Sequence, residues 1–220
     1  MTGCCAGAAQ AAISTITETA TLPPEAADYT LQPLSFAQFD PSLGKLQSVQ
    51  IVVHSTMHLT QQFENTSDQE QNIRARQTVD FVLTLPDGTT PFLKDRQVVA
   101  RTYSVSEFDG TVDFDGTSGS TTDYQISSTN QKRLKSRDKL DMFTGSGLAS
   151  LFLSANETFQ ASDEQNQLVA QSQAFAGAKI DVIYNYIAIP EPVAFGLVAG
   201  SVALLSFGAI NRRANRIEKK

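Results

Sequence analysis

The stretch that decides the fold is residues 49–60, with the sequence VQIVVHSTMHLT. Its odd-numbered residues are Val, Ile, Val, Ser, Met and Leu, and its even-numbered residues are Gln, Val, His, Thr, His and Thr. Successive side chains of a β-strand point to opposite faces, so a period of two separates these sets. The stretch therefore predicts a half-buried strand of a sheet that has one face on a core.

The same alternation recurs along the chain. Residues 79–85 and 180–186 repeat it, and Pro86-Asp87-Gly88 supplies a turn after the first of them. Shorter strand candidates lie at residues 97–105, 123–127, 148–155 and 167–175. Turn residues separate these runs, and helical periodicity is faint. We therefore predict an all-β fold, a β-sandwich or jelly-roll-like domain over residues 28–187, followed by a single C-terminal transmembrane helix.

Composition narrows the class of protein. The chain has 220 residues, a net charge of −6 and only 18% charged residues. Its two cysteines, Cys4 and Cys5, are adjacent, so the predicted domain contains no disulfide and no CxxC metal site. The basic residues concentrate at residues 212–220, which leaves the rest of the chain acidic. This distribution predicts no nucleic-acid partner, because nucleic-acid binders present a basic face.

The C-terminus carries a membrane signal. Residues 193–210 read VAFGLVAGSVALLSFGAI and hold no charge. As a helix they would be about 27 Å long, close to the roughly 30 Å of a bilayer core. Arg212, Arg213 and Arg216 follow, so residues 193–211 predict a transmembrane helix and residues 212–220 a basic cytoplasmic tail. A buried core helix is the alternative, and the abrupt change from apolar residues to arginines disfavours it.

A sorting motif precedes this span. Pro190, Glu191 and Pro192, within the linker 188–192, favour extended backbone, the shape that a protease binds. The order Pro-Glu-Pro, apolar span and arginine cluster resembles the PEP-CTERM sorting signal of Gram-negative bacteria. The resemblance implies that the three residues are recognised by exosortase, an integral membrane protease, and that this chain is its substrate. It also implies a precursor anchored in the inner membrane, delivered later to the cell surface or extracellular matrix.

Such a tail requires export, so a signal peptide is expected at the other end. Ala9-Gln10-Ala11 fits the small-x-small cleavage pattern, but a basic region and a long apolar region are missing before it. We therefore interpret residues 1–27 as the remnant of a signal peptide with its leader. A lipobox-like interpretation at Gly3-Cys4 is the alternative.

A second resemblance covers the body of the chain. Residues 39–46, FDPSLGKL, stand before the first long strand, and residues 143–147 read FTGSG. Together with the closing strand 180–186, these pieces resemble the choice-of-anchor E domain, which implies a surface location and no specific chemistry. The polar stretch 61–77 departs from that pattern. Asp40-Pro41-Ser42-Leu43-Gly44 also predicts a turn, with Phe39 and Leu43 as core anchors.

Two groups of residues could hold a metal ion. His54 and His58 would suit a metal if they lay on a helix, but on a strand they are about 13 Å apart, so we expect two solvent-facing residues. Asp109, Asp113 and Asp115 lie in DGTVDFDG, an oxygen-rich segment of the kind that can bind calcium. The segment lacks EF-hand spacing, and an exposed turn is the competing interpretation.

A basic cluster interrupts the acidic body. Its members are Lys132, Arg133, Lys135, Arg137 and Lys139. Anionic polysaccharide or lipid headgroups would suit such a cluster, and a solvated loop is the alternative.

The motifs of common enzymes are missing from the sequence. There is no GxSxG, HExxH, phosphate loop, or GxGxxG with an acidic partner. We therefore predict a protein that is not an enzyme: an exported surface or matrix protein with a structural or adhesive role, no cofactor, and exopolysaccharide as a candidate partner. A calcium- or glycan-binding β-sandwich is the main alternative. A hydrolase is a further one, because two carboxylates distant in sequence can meet in space.

Overall fold

The computed structural model describes residues 13–189. The predicted sorting motif 190–192, the predicted transmembrane helix 193–211 and the basic tail 212–220 lie outside these residues. Between residues 13 and 189, no helix has both the length and the apolar character needed to cross a membrane.

Eight strands dominate this part of the chain. In order they are β1 Ile13–Ala26, β2 Tyr29–Ala37, β3 Gly44–Asn65, β4 Gln71–Thr84, β5 Pro91–Val105, β6 Gly119–Leu134, β7 Leu148–Ser162 and β8 Leu168–Ala188. A short 3₁₀ turn, Pro41–Leu43, precedes β3, and the helix α1, Arg137–Asp141, follows β6. The all-β prediction is confirmed.

The strands form two antiparallel sheets of four. The first has the order β1-β8-β3-β6 and the second β2-β7-β4-β5. Buried side chains from both sheets meet in a shared main core, as in a β-sandwich. In the first sheet, β3 and β8 lie in the centre and pair from Gly44↔Ala188 to Asn65↔Leu168. At the usual rise per residue these two strands extend over about 70 Å, so the domain is elongated along them.

The period of two that the sequence showed decides which faces are buried. On β3, Val49, Ile51, Val53, Met57 and Leu59 are buried against the second sheet. The odd-numbered residues of β4 from Val79 to Leu83, and Leu85 just beyond it, meet them from the other side. These side chains form the core because each strand places all of its apolar residues on one face.

The folded domain begins earlier than the predicted boundary at residue 28. Strand β1 lies within the predicted leader and pairs with β8 from Ile13↔Ile187 to Ala26↔Phe175. Its alternate residues Ile16, Ala20 and Leu22 pack against the core. Residues from Ile13 onward therefore belong to the β domain, and this segment has the same period of two as the other strands.

The predicted turn before β3 is present, but only one of its two predicted anchors is buried. Asp40 accepts a hydrogen bond from the Ser42 amide at 2.8 Å and begins the 3₁₀ turn. Phe39 is buried, with its ring centroid 5.0 Å from that of Tyr186. Leu43 is 43% exposed, so its prediction as a core anchor is wrong. The 3₁₀ turn places Leu43 outside the sheet pairing, which starts at Gly44.

A polar layer divides the interior. Gln61 and Gln77 are fully buried and bonded to each other at 3.1 Å, and Tyr103 donates its hydroxyl to Gln61 at 2.8 Å. Beyond this layer lies a small second core of Phe63, Ile73, Ala75 and Val105. Buried amides of this kind are tolerated because their polar atoms find partners.

The predicted turn Pro86-Asp87-Gly88 connects β4 and β5, and Gly88 adopts a φ of +70°, which favours glycine. The Asp87 carboxylate accepts hydrogen bonds from the Thr90 hydroxyl and from the Thr90 and Thr89 amides. These donors, led by the Thr90 hydroxyl, lower the pKa of Asp87 to about 2.

This pKa predicts how stability depends on pH at the turn. A lowered folded pKa stabilises the fold at pH values above the ordinary value of 3.8, and the effect is lost as pH falls toward about 2. Asp87→Asn should therefore be less stable than the natural chain at pH 6, and the difference should disappear near pH 2. Chemical denaturation at both pH values checks this, and a carboxyl titration midpoint near 3.8 by NMR would contradict it.

Candidate functional site

The two ends of the sandwich differ in chemistry. The C-terminal end is where β8 ends at Ala188, β3 begins at Gly44 and β6 ends at Leu134. The distal end is where the β3–β4, β5–β6 and β7–β8 connections meet. Each predicted site can be assigned to one of these ends or to a sheet face.

At the C-terminal end, the chain is held up to the last described residue. Ala188 pairs with Gly44, and the Ile189 amide donates to the Leu43 carbonyl at 3.2 Å. Gly44 has a φ of +153°, and a Cβ there would lie 2.1 Å from the Ile187 carbonyl oxygen. Glycine is therefore required where β3 meets the end of β8. The predicted sorting motif begins at the next residue, Pro190.

The basic cluster lies at this same end. Lys132 and Arg133 are on β6, where Lys132 donates to the Phe92 carbonyl at 3.0 Å and Arg133 to Gln50 at 2.7 Å. Arg137 and Lys139 belong to α1, and Lys135 is in the link before it. The cluster is thus built on a strand end and a helical turn and not on a loop alone, and all of its members except the half-buried Lys139 are exposed to solvent. Lys45, Lys135 and Arg137 border a cleft of about 460 Å³ here.

The distal end is acidic. Its three connections, residues 66–70, 106–118 and 163–167, contain eight acidic residues and no basic one. The acidic residues are Asp68, Glu70, Glu107, Asp109, Asp113, Asp115, Asp163 and Glu164. The sandwich therefore carries opposite charge at its two ends.

The predicted calcium ligands are in this region, but each serves a local turn. Asp109 accepts from the Thr111 amide at 3.0 Å, Asp113 from the Asp115 amide at 3.0 Å, and Asp115 from the Gly116 amide at 2.8 Å. Among residues 13–189, no group of three or more His, Cys, Asp or Glu side chains is placed to hold a metal ion.

A buried carboxylate holds the acidic loop instead. Glu64, at the end of β3, is fully buried. It accepts from the Phe114 amide at 2.7 Å and from the Ser118 hydroxyl at 2.6 Å. This residue connects the loop to the sheet.

The two histidines lie on a strand, as expected, and on its outer face. His54 is 3.3 Å from Asp181 and 3.0 Å from the Thr129 hydroxyl. Burial opposes ionisation of Asp181, but hydrogen bonds led by that from Thr19, together with the charge of Lys179, outweigh it and lower its pKa. His54 thus belongs to a cross-strand polar network.

One serine–carboxylate cluster lies between the sheets. Ser55 donates to Asp95 at 2.5 Å, Ser128 donates to the same carboxylate oxygen, and Gln97 donates to Ser55 at 2.9 Å. Burial raises the pKa of Asp95, but the hydroxyl donors outweigh it and the pKa is lowered. A nucleophilic serine needs a base, usually imidazole, to take its proton. Both histidines point to the opposite face of β3, so the cluster ties the sheets together.

A surface that the sequence did not single out lies on the outer face of the second sheet. Arg74 and Arg76 on β4, Arg101 on β5, and Thr102 and Gln160 beside them line a groove of about 720 Å³, which we call the arginine groove. The signal was present in Ile73-Arg74-Ala75-Arg76, where buried and exposed residues alternate. This alternation lies within the stretch 61–77, which the sequence analysis described only as polar.

Comparisons with known proteins identify no family for this chain. No family model matches the chain, and no curated protein matches it significantly. Among solved structures, a chain of the T13 particle of infectious bursal disease virus is 12% identical and has a TM-score of 0.15. A chain of the Gx strain of that virus is 12% identical, with a TM-score of 0.12. The matches cover 83% of this chain but only 41% and 42% of the viral chains, so this chain spans about two fifths of their length. TM-scores this low support no statement about fold or function.

Proposed function

We propose that this chain is an exported surface or matrix protein, sorted by its C-terminal PEP-CTERM-like signal and processed by exosortase, with a structural or adhesive role. The observation that carries the proposal is the position of β8. This strand is central in its sheet, is paired on both sides, and ends at Ala188, two residues before Pro190. The motif that a protease would bind therefore follows directly from a central strand that is paired on both sides.

The distribution of charge supports the same orientation. The basic cluster surrounds the point where the chain leaves the sheet, and the acidic connections lie at the other end, about 70 Å away along β8. A membrane with anionic headgroups attracts basic side chains within a Debye length, about 8 Å at physiological salt. A precursor anchored by residues 193–211 would therefore have its basic end at the lipid surface and its acidic end directed away.

The pairing of β8 suits a load-bearing role. A force applied at the processed C-terminus enters β8 and is opposed by the ladders to β1 and β3 along most of its length. Pulling along paired strands shears many hydrogen bonds together, whereas pulling at an edge would open them one by one. An attached surface protein benefits from the first arrangement.

Replacing the sorting motif tests the proposal. Pro190→Ala/Glu191→Ala/Pro192→Ala should leave the full chain in the membrane fraction with its C-terminus uncut, because exosortase no longer recognises it. The natural chain should reach the surface without the residues that follow the motif. Expression in a Gram-negative host with an exosortase, followed by mass spectrometry of the surface fraction, checks both.

Glu218→Ala is the matched control, since it changes the same tail outside the motif, and it should be processed normally. Surface protein that still ends in Lys220 would contradict the sorting proposal and leave a permanent tail anchor. Equal processing of the motif variant and the control would contradict the assigned role of Pro190, Glu191 and Pro192.

A further inference from the structure

We propose that the arginine groove binds a carboxylate-bearing polysaccharide. The inference rests on the proposed function, because such a polymer is met outside the cell. It assigns the adhesive role to Arg74 and Arg76, which project from the outer face of the second sheet, with Arg101 at the border of the groove.

The geometry of the strands brings the charges together. Arg74 and Arg76 alternate on β4, so both project from the outer face, about 7 Å apart along the strand. On the neighbouring edge strand β5, the guanidinium of Arg101 donates to the carbonyl of Ala100 at 3.2 Å. That bond keeps Arg101 at the border of the groove, which Ala100 also lines.

These charges lack partners of opposite sign. No carboxylate lines the groove, and among residues 13–189 neither Arg74 nor Arg76 takes part in an ion pair. Arg96, on the same outer face, shows the alternative, since Asp80 accepts two hydrogen bonds from it at 2.6 and 2.9 Å. The forked geometry of a guanidinium matches a carboxylate in this way, so the groove presents unused sites for carboxylates.

The groove continues as a track, which indicates a polymer. A second, smaller groove shares Arg76 and Gln160 with the first and extends to Asp80 and Arg96. Together they follow β4 from Arg74 to Asp80, about 20 Å at the rise of a strand. Thr78, Thr102, Thr158 and Gln160 line this track, and their hydroxyl and amide groups suit sugar hydroxyls.

The spacing and the surroundings favour a polysaccharide over a nucleic acid. Duplex DNA carries one charge per roughly 1.7 Å, and proteins that bind single strands stack aromatic rings on the bases. No aromatic residue lines either groove, and the chain has a net charge of −6. Two arginines about 7 Å apart, flanked by threonine and glutamine side chains, suit a polymer that carries separate carboxylates and many hydroxyl groups.

Binding by the purified full chain tests the inference. The probe is fluorescently labelled polygalacturonate, with uncharged dextran as the comparison. We expect polygalacturonate to bind, dextran not to bind, and affinity to fall with added salt. Arg74→Gln/Arg76→Gln should weaken binding by about tenfold or more, because charge-assisted contacts are lost.

Lys94→Gln/Lys179→Gln is the matched control, because it removes the same charge from exposed side chains outside both grooves and outside the basic cluster. It should change affinity less than about twofold. If both double variants lost affinity equally, the effect would come from net charge alone, and the arginine groove would not be the binding site. Duplex DNA binding as tightly through Arg74 and Arg76 would overturn the choice of polymer. Binding in solution does not depend on the tail being cut, so failure here and failure of sorting are separate results.

Discussion

Phe81→Ala is expected to lower the free energy of unfolding by about 3–5 kcal/mol. Phe81 is 2% exposed in the C-terminal half of β4, where it pairs with Asp95 on one side and Ala155 on the other. Its ring fills the space between the two sheets, within the core that both share. Removing the ring loses its transfer free energy and leaves a cavity that paired strands cannot close.

The neighbouring residue supplies the control. Val82 is on the same strand but on the outer face, so Val82→Ala should cost less than about 1 kcal/mol. Urea denaturation of the full chain, followed by circular dichroism, measures both changes. Equal losses would mean that β4 does not alternate between a buried and an exposed face.

The second large effect is expected at the distal end, where Glu64→Gln should cost about 2–3 kcal/mol. The carboxylate of Glu64 accepts from two donors, the Phe114 amide and the Ser118 hydroxyl. An amide offers one oxygen and a donor NH2, so one of these buried donors loses its acceptor. The β5–β6 connection should then loosen, and hydrogen exchange at the Phe114 amide should become faster.

Glu70→Gln is the same chemical change on the surface. Glu70 is exposed and accepts from the Ser104 hydroxyl at 2.8 Å, so its replacement should cost under about 0.5 kcal/mol. Hydrogen exchange at the Phe114 amide and the free energy of unfolding, measured for both variants, test this difference. Unchanged exchange at Phe114 in Glu64→Gln would show that Glu64 does not hold the loop.

The strands could be predicted because their signal is local. Alternation over residues 49–60 depends only on neighbouring residues, and a buried face demands it wherever the strand lies. The same rule applies to β1, but its alternation was not used because the segment was interpreted as part of a leader. Leu43 shows the opposite error, since an apolar residue in a turn need not be buried.

The candidate sites depended on positions that spacing does not reveal. Asp109, Asp113 and Asp115 were predicted to bind calcium, but each carboxylate accepts a hydrogen bond from a nearby backbone amide. The sequence shows that Arg74 and Arg76 are present, but the groove that they line forms only when β5 and β7 lie beside β4. Glu64 gave no signal, because its donors lie 50 and 54 residues away.

Fold class and the face that each strand buries were thus already contained in the order of the amino acids, since a period of two is a property of the strand itself. The pairing of β8 with β1 and β3, and the collection of basic residues at one end and acidic residues at the other, came only from the tertiary structure. Long-range pairing is chosen by the packing of the whole core, which no single segment specifies. For this reason the arginine groove and the strand that leads to the tail became visible only once both sheets were assembled.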